Sequence, residues 1–193
     1  MATAHLLPQP RTSPVVLFEI VPLSPETYRQ QTRRSTLIVA ATFAVLAMGL
    51  STLAVALFGE PGGDNLRLNI IGVVAGLALT IGIVRWLYWQ QPWMAAAVYG
   101  WQLKRSLMRV TNMMHQVKAG VSAGDPDAMK LLRFYHLGLT QMHRLDGNSS
   151  GLSDSVAEID RHREAMEARS MDTDQPRLES GWLERVGQIE AKR

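Results

Sequence analysis

The amino-acid sequence predicts an all-α membrane protein, a two-span transmembrane helical hairpin followed by a small cytoplasmic antiparallel helical bundle. Three observations predict it. No charged side chain occurs from Leu37 to Gly59. A second uncharged run covers Leu68 to Val84 after a short turn rich in Gly and Pro. Beyond Pro92 the apolar residues fall at alternating spacings of three and four, which is the period of amphipathic helices.

The averages hide this division. The chain is 47% hydrophobic with a net charge of +3, values ordinary for a soluble domain. Residues 1–64 carry four basic and four acidic groups, residues 65–124 six basic and none acidic, and residues 146–193 a net −4. A basic middle next to two apolar runs points to an anionic membrane surface. The absence of cysteine excludes disulfides, thiolate zinc sites and cysteine nucleophiles.

Residues 1–24 contain four prolines and no helical period, and read as a disordered N-terminal tail. Ser24-Pro25 then reads as an N-cap followed by proline at the first helical position. The membrane hairpin is assigned to residues 25–91, with spans over about 37–58 and 68–89 and an outer turn at 59–67. The first span has 22 residues, whose only polar side chains are hydroxyls. About 20 apolar residues at about 1.5 Å each cover the hydrocarbon core of roughly 30 Å. Residues 59–65, Gly-Glu-Pro-Gly-Gly-Asp-Asn, are too short to hold a domain, so the spans are expected to be antiparallel neighbours.

Orientation follows the basic residues. Arg29, Arg33 and Arg34 precede the first span and Arg85, Lys104 and Arg105 follow the second, against Arg67 alone in the turn. Both termini are therefore expected on the cytoplasmic side. Arg33, Arg34, Arg85, Trp86, Trp89, Trp93, Lys104, Arg105 and Arg109 are the expected membrane-interface residues. Two export readings compete: Ala54-Val55-Ala56 has the small-residue form of a cleavage site, and Arg33-Arg34 that of a twin-arginine signal. Positive-inside flanking and the long leading segment favour an uncleaved anchor.

Gly72, Gly76 and Thr80 put small residues every four positions on one face of the second span, a ridge for close helix packing. It is expected to meet the chain's own first span at Ala40, Ala44 and Ala47, with dimerisation as the alternative. Neither uncharged run, Leu37–Phe58 or Leu68–Val84, carries an ionisable group, which weighs against an ion pathway.

Three cytoplasmic helices are expected over about 93–119, 126–146 and 153–169. The first has the seam Leu103, Leu107, Val110, Met114 and Val117, with Gly120 as its stop. Asp125-Pro126 opens the second, whose seam is Leu132, Tyr135, Leu139 and Met142. Val156, Ile159 and Met166 form the inward face of the third. Residues 170–193 read as a flexible acidic tail with a candidate short helix carrying Leu178, Trp182, Val186 and Ile189. An exposed Trp182 is a candidate docking anchor for a partner; docking on its own bundle is the alternative.

The chemistry-bearing residues are sparse. His136 and His143 are weak metal candidates, seven residues apart and so two helical turns, too far for an i, i+4 ligand pair. No nucleophile elbow, phosphate loop or HExxH pattern occurs. No catalytic residue, cofactor or nucleic acid is expected, and Lys104, Arg105, Arg109 and Lys118 are assigned to lipid contact.

The run Pro25-Glu-Thr-Tyr-Arg-Gln-Gln-Thr-Arg-Arg-Ser-Thr-Leu, the stretch Gln91-Pro-Trp-Met-Ala-Ala-Ala-Val-Tyr-Gly-Trp-Gln-Leu-Lys-Arg-Ser-Leu and Lys130-Leu-Leu-Arg-Phe-Tyr-His-Leu-Gly-Leu resemble an uncharacterised family of small bacterial inner-membrane proteins, a domain of unknown function. The resemblance covers roughly Pro25 to Met166 and implies membrane location and bacterial origin, with no activity, cofactor or catalytic residue. The functional expectation is a non-enzymatic membrane-anchored adaptor or scaffold at the bacterial inner membrane, partnered by the anionic leaflet and by a protein or a second copy. The alternatives are an accessory subunit of a larger membrane complex joined through Gly72 and Gly76, and a metal-binding or enzymatic membrane protein.

Overall fold

The computed structural model describes residues 15–190, and these are mostly helical. They divide into two compact units. A long-helix unit takes Pro22–Lys104 and Met142–Ser149; a sheet-bearing unit takes the chain up to Val21, Arg105–Gln141 and the residues from Ser150 onward.

In the long-helix unit, α1 spans Pro25–Phe58 and α2 spans Leu66–Ile83. α1 starts where Ser24 Oγ accepts from the Thr27 N–H, with proline at the first position and Glu26 in the first turn. It stops at Gly59, whose N–H donates to Val55 O at 2.8 Å, two residues before Pro61. The turn is closed by Asn65, whose Oδ1 accepts from the Glu60 N–H and whose Nδ2 donates to Glu60 O. α2 then runs back alongside α1, so that Gly76 lies on Ala47 and Gly72 on Ser51. Both helices are long and apolar enough to cross a membrane.

α2 passes directly into a π-helical turn over Val84–Tyr88, closed by the Trp89 N–H donating to Val84 O at 2.9 Å. A short 3₁₀ turn, Pro92–Met94, leads into α3, Ala95–Thr111.

The expected single helix over 93–119 is in fact two. α3 ends at Thr111 and α4 covers Met114–Ala123. Thr111 Oγ1 bonds back to Leu107 O, and the Met113 N–H tightens onto Val110 O, at a point where Thr and Asn are weak helix formers. The stop is Gly124 rather than Gly120. Gly124 takes φ +77°, while a Cβ at Gly120 would meet Ala128 Cβ at 2.6 Å and Ile189 Cδ1 at 2.8 Å. Gly120 is therefore a point of close packing.

α5, Pro126–Asp146, is capped by Asp125 Oδ1, which accepts from the Ala128 N–H at 2.8 Å. α6 covers Ser149–Glu167. The expected α5 seam is too narrow: Tyr135, Leu139 and Met142 are half-buried, whereas Leu131, Phe134 and Leu145 are fully covered beside Leu132. In α6, Met166 and His162 are buried while Val156 is exposed, contrary to its expected inward face.

Both ends of the described chain correct the sequence reading. The last part of the expected disordered tail forms β1, Val16–Glu19, and the expected flexible tail forms β2, Arg177–Glu179, and α7, Ser180–Gly187. Residues 1–14 of the tail lie outside the described residues. β1 and β2 are antiparallel, with Phe18 opposite Leu178 and Glu19 opposite Arg177, both pairs beyond an irregularity after Val16. Phe18 and Leu178 are buried, and Glu19 and Arg177 form an ion pair at 3.1 Å on the surface. Periodicity alone misses a strand of this length, because burial against helices decides it.

Candidate functional site

The ridge of α2 is used inside the chain. A Cβ at Gly76 would sit 2.7 Å from the Ala47 backbone, and one at Gly72 would collide with the backbone of Ser51. Only glycine allows this approach. Thr80 completes the ridge, buried, with its hydroxyl donating to Gly76 O at 2.7 Å. Of the expected partners, Ala47 is buried but Ala40 and Ala44 are exposed, and Ser51 takes their place. Ser51 Oγ donates to Asn69 Oδ1 at 2.7 Å, a polar cross-link the apolar pattern did not signal.

At the other end of the helix pair lies an aromatic collar. Thr42 Oγ1 donates to Ile38 O at 2.8 Å, so the 3.1 Å contact with Tyr88 uses the phenol as donor. Tyr88 meets Trp93 edge to face at 5.0 Å and Trp89 meets Trp101 at 5.1 Å. The Arg85 guanidinium lies 5.7 Å from the Trp89 ring centroid. Trp86 is 79% exposed, and Arg33, Arg34, Lys104, Arg105 and Arg109 are all on the surface. Lys104 pairs with Asp146 at 3.2 Å.

Between α1, the end of α2 and the segment around Met94 runs an apolar groove of about 600 Å³. Val39, Ala40 and Phe43 form one wall, Leu77, Ile81 and Val84 the other, and Arg85 and Trp89 stand among the lining residues. Its hydroxyls are occupied. Ser35 Oγ lies 2.7 Å from Trp93 O and 2.9 Å from Gln31 O, Thr36 donates to Thr32 O, and Thr80 to Gly76 O.

In the sheet-bearing unit a second cavity, of about 280 Å³, is lined by Lys118, Tyr135, His136, Ser155 and Glu158 with apolar neighbours. His136 is 3% exposed and its Nδ1 is buried without a hydrogen-bond partner among the described residues. Burial, reinforced by His162 and Arg133, pushes the His136 pKa down to about 4, so the imidazole is neutral at pH 7. Burial also lowers His162, against the opposing effect of its bond to Met129 O at 3.0 Å. The partner of His136 is thus His162, with ring centroids 5.3 Å apart, and not the half-buried His143. Asp160, two residues before His162, pairs with Arg163 at 3.5 Å. Among the described residues no group of three His, Cys, Asp or Glu side chains is placed to hold a metal.

Trp182 is not an exposed anchor. It is 4% exposed, with Lys130 Nζ 6.0 Å from its ring centroid. Val186 on the same face is fully buried, and Arg185 holds Asp127 with two bonds at 2.5 and 3.1 Å. α7 docks on its own unit through this face.

These features define a mostly helical protein with two helices long and apolar enough to cross a membrane. The chain belongs to the family described as "Protein of unknown function (DUF3087)", whose model matches residues 18–183. The match reaches past Pro25 and Met166 at both ends, taking in half of β1, all of β2 and the start of α7. No curated protein and no solved structure matches the chain.

Proposed function

We propose that the chain is a non-enzymatic membrane-anchored adaptor of the bacterial inner membrane. α1 and α2 cross the bilayer as a hairpin, both termini are cytoplasmic, and the sheet-bearing unit offers a surface to a protein partner near the anionic leaflet. One observation carries the anchor. Of an apolar stretch of 18 consecutive residues in each long helix only 6% and 17% is buried, leaving Val45, Met48, Leu53, Ile71, Val74 and Leu79 among the exposed side chains. In water such a surface is a liability; in lipid it is the side that faces the solvent. The hydroxyls of Thr42 and Thr80 bond to their own helices, as a hydrocarbon setting demands. Orientation rests on the arginines at the collar end against Arg67 at the turn.

A partner is supported by Val15, Val16 and Leu17, consecutive exposed apolar residues at the sheet. The accessory-subunit alternative loses its contact, because Gly72 and Gly76 already face α1. Crosslinking in native membranes, after an alkaline carbonate wash, tests the reading. The chain is expected to stay with the membranes and to yield a product with a second, different protein. Extraction by carbonate overturns the anchor, and recovery of only the chain or its homodimer overturns the adaptor.

A further inference from the structure

We propose that the groove between α1 and α2 binds one phospholipid with an anionic headgroup, its acyl chain lying along Val39, Phe43, Leu77 and Ile81 and its phosphate meeting Arg85. The inference rests on the membrane reading above and adds a defined ligand site to it.

The groove is concave and its walls are almost entirely apolar, so it takes a chain that needs no hydrogen bonds. Ser35, Thr36 and Thr80 present hydroxyls already engaged with backbone carbonyls, which removes any demand for a polar occupant inside. Charge singles out the headgroup. Arg85 is the one charged residue lining the groove, it is exposed, and it makes no ion pair among the described residues. The Trp89 ring beside it fixes the guanidinium without neutralising it. A phosphate is the complement of a guanidinium that offers a planar set of donors.

A helix of a second protein is the rival occupant. Close helix packing relies on small-residue ridges, and the Gly72–Gly76 ridge is turned to α1. The groove instead presents Phe43, Leu77 and Ile81, side chains that keep a helix backbone at a distance but line a channel for a flexible chain.

The test uses the full chain purified in mild detergent, delipidated and offered phosphatidylglycerol or phosphatidylcholine with identical acyl chains, with bound lipid counted by native mass spectrometry. The wild type is expected to retain one lipid and to favour phosphatidylglycerol by roughly fivefold, the factor that corresponds to about 1 kcal/mol for one basic side chain at an anionic headgroup. Arg85→Gln should bring that preference to near unity while one lipid is still retained. Ala40→Trp, which fills the groove, should abolish retention of both lipids. Equal retention of the two lipids by the wild type, or full retention by Ala40→Trp, overturns the site. Carbonate washing of membranes carrying the wild type keeps the two claims apart: a wild-type chain that resists extraction yet retains no lipid refutes the site alone, and one that is extracted refutes the anchor.

Discussion

His136 and His162 meet edge to face in the interior of the sheet-bearing unit, 5.3 Å between ring centroids, and His136 Nδ1 has no hydrogen-bond partner among the described residues. Two imidazoles at this spacing cannot both carry a proton cheaply, and burial disfavours even the first.

The pair makes stability depend on pH. An unfolded histidine titrates near 6.5, whereas His136 in the folded chain titrates at about 4. Between those values the unfolded state takes a proton that the folded state refuses, so stability is full above about pH 6.5 and falls as pH drops toward 4. The shift corresponds to on the order of 3 kcal/mol, with His162 acting in the same direction. Thermal melts from pH 7 to pH 4 should show this loss. His136→Leu, which removes both the proton and the orphaned nitrogen, should flatten it. An unchanged profile in that variant would assign the acid sensitivity to other groups.

Ser170 ends α6 at φ +53°, a left-handed conformation that costs a side-chain-bearing residue about 1–2 kcal/mol. It holds this position because the Met171 N–H donates to Met166 O at 3.0 Å, closing the helix. Ser170→Gly relieves the strain but loosens the unfolded chain, leaving an expected gain of about 0.5–1 kcal/mol. Urea denaturation of the wild type and the variant reads the difference directly, and a lower midpoint for the variant would contradict the account.

The caps were legible in the sequence because a cap is a local bond. Ser24-Pro25 and Asp125-Pro126 open α1 and α5 where their residue types demand. The lengths of the apolar runs were legible because every residue in them repeats the same message. What escaped depends on distant partners. Gly120 looks like a stop until Ala128 and Ile189 are placed against it. Val16 to Glu19 cannot be read as part of a sheet without Arg177 to Glu179, more than 150 residues away. The site divided in the same way: spacing made a pair of His136 with His143 unfit for a metal, but the approach of His162 needed the packing of α6 on α5.

The antiparallel approach of α1 and α2 can be measured chemically, since the chain has no native cysteine. Ser51→Cys combined with Asn69→Cys puts two thiols across the two helices where the native side chains already meet at 2.7 Å, without placing a side chain in the glycine ridge. Mild oxidation in membranes should form an intramolecular disulfide that speeds migration on a denaturing gel. The pair Ala47→Cys and Asn69→Cys, out of register because Ala47 lies opposite Gly76, should oxidise far more slowly. Equal rates would mean that the glycine ridge does not define the register.

Trp182 supplies a test of where α7 belongs. An exposed anchor contributes little to the stability of the free protein, so its loss would weaken capture of a partner and leave the melt unchanged. A core residue behaves in the opposite way. With Trp182 at 4% exposure and Leu178 and Val186 fully buried on the same segment, Trp182→Ala should cost about 3–5 kcal/mol and free the C-terminal residues for proteolysis. Asp127→Ala removes the acceptor of the Arg185 bonds, yet Arg185 is largely in solvent, so its cost should stay below about 1 kcal/mol. Comparing the two variants by melting and limited proteolysis separates burial from the ion pair, because a tail held mainly by charge would be released by Asp127→Ala and by added salt, whereas one held by the indole would survive both.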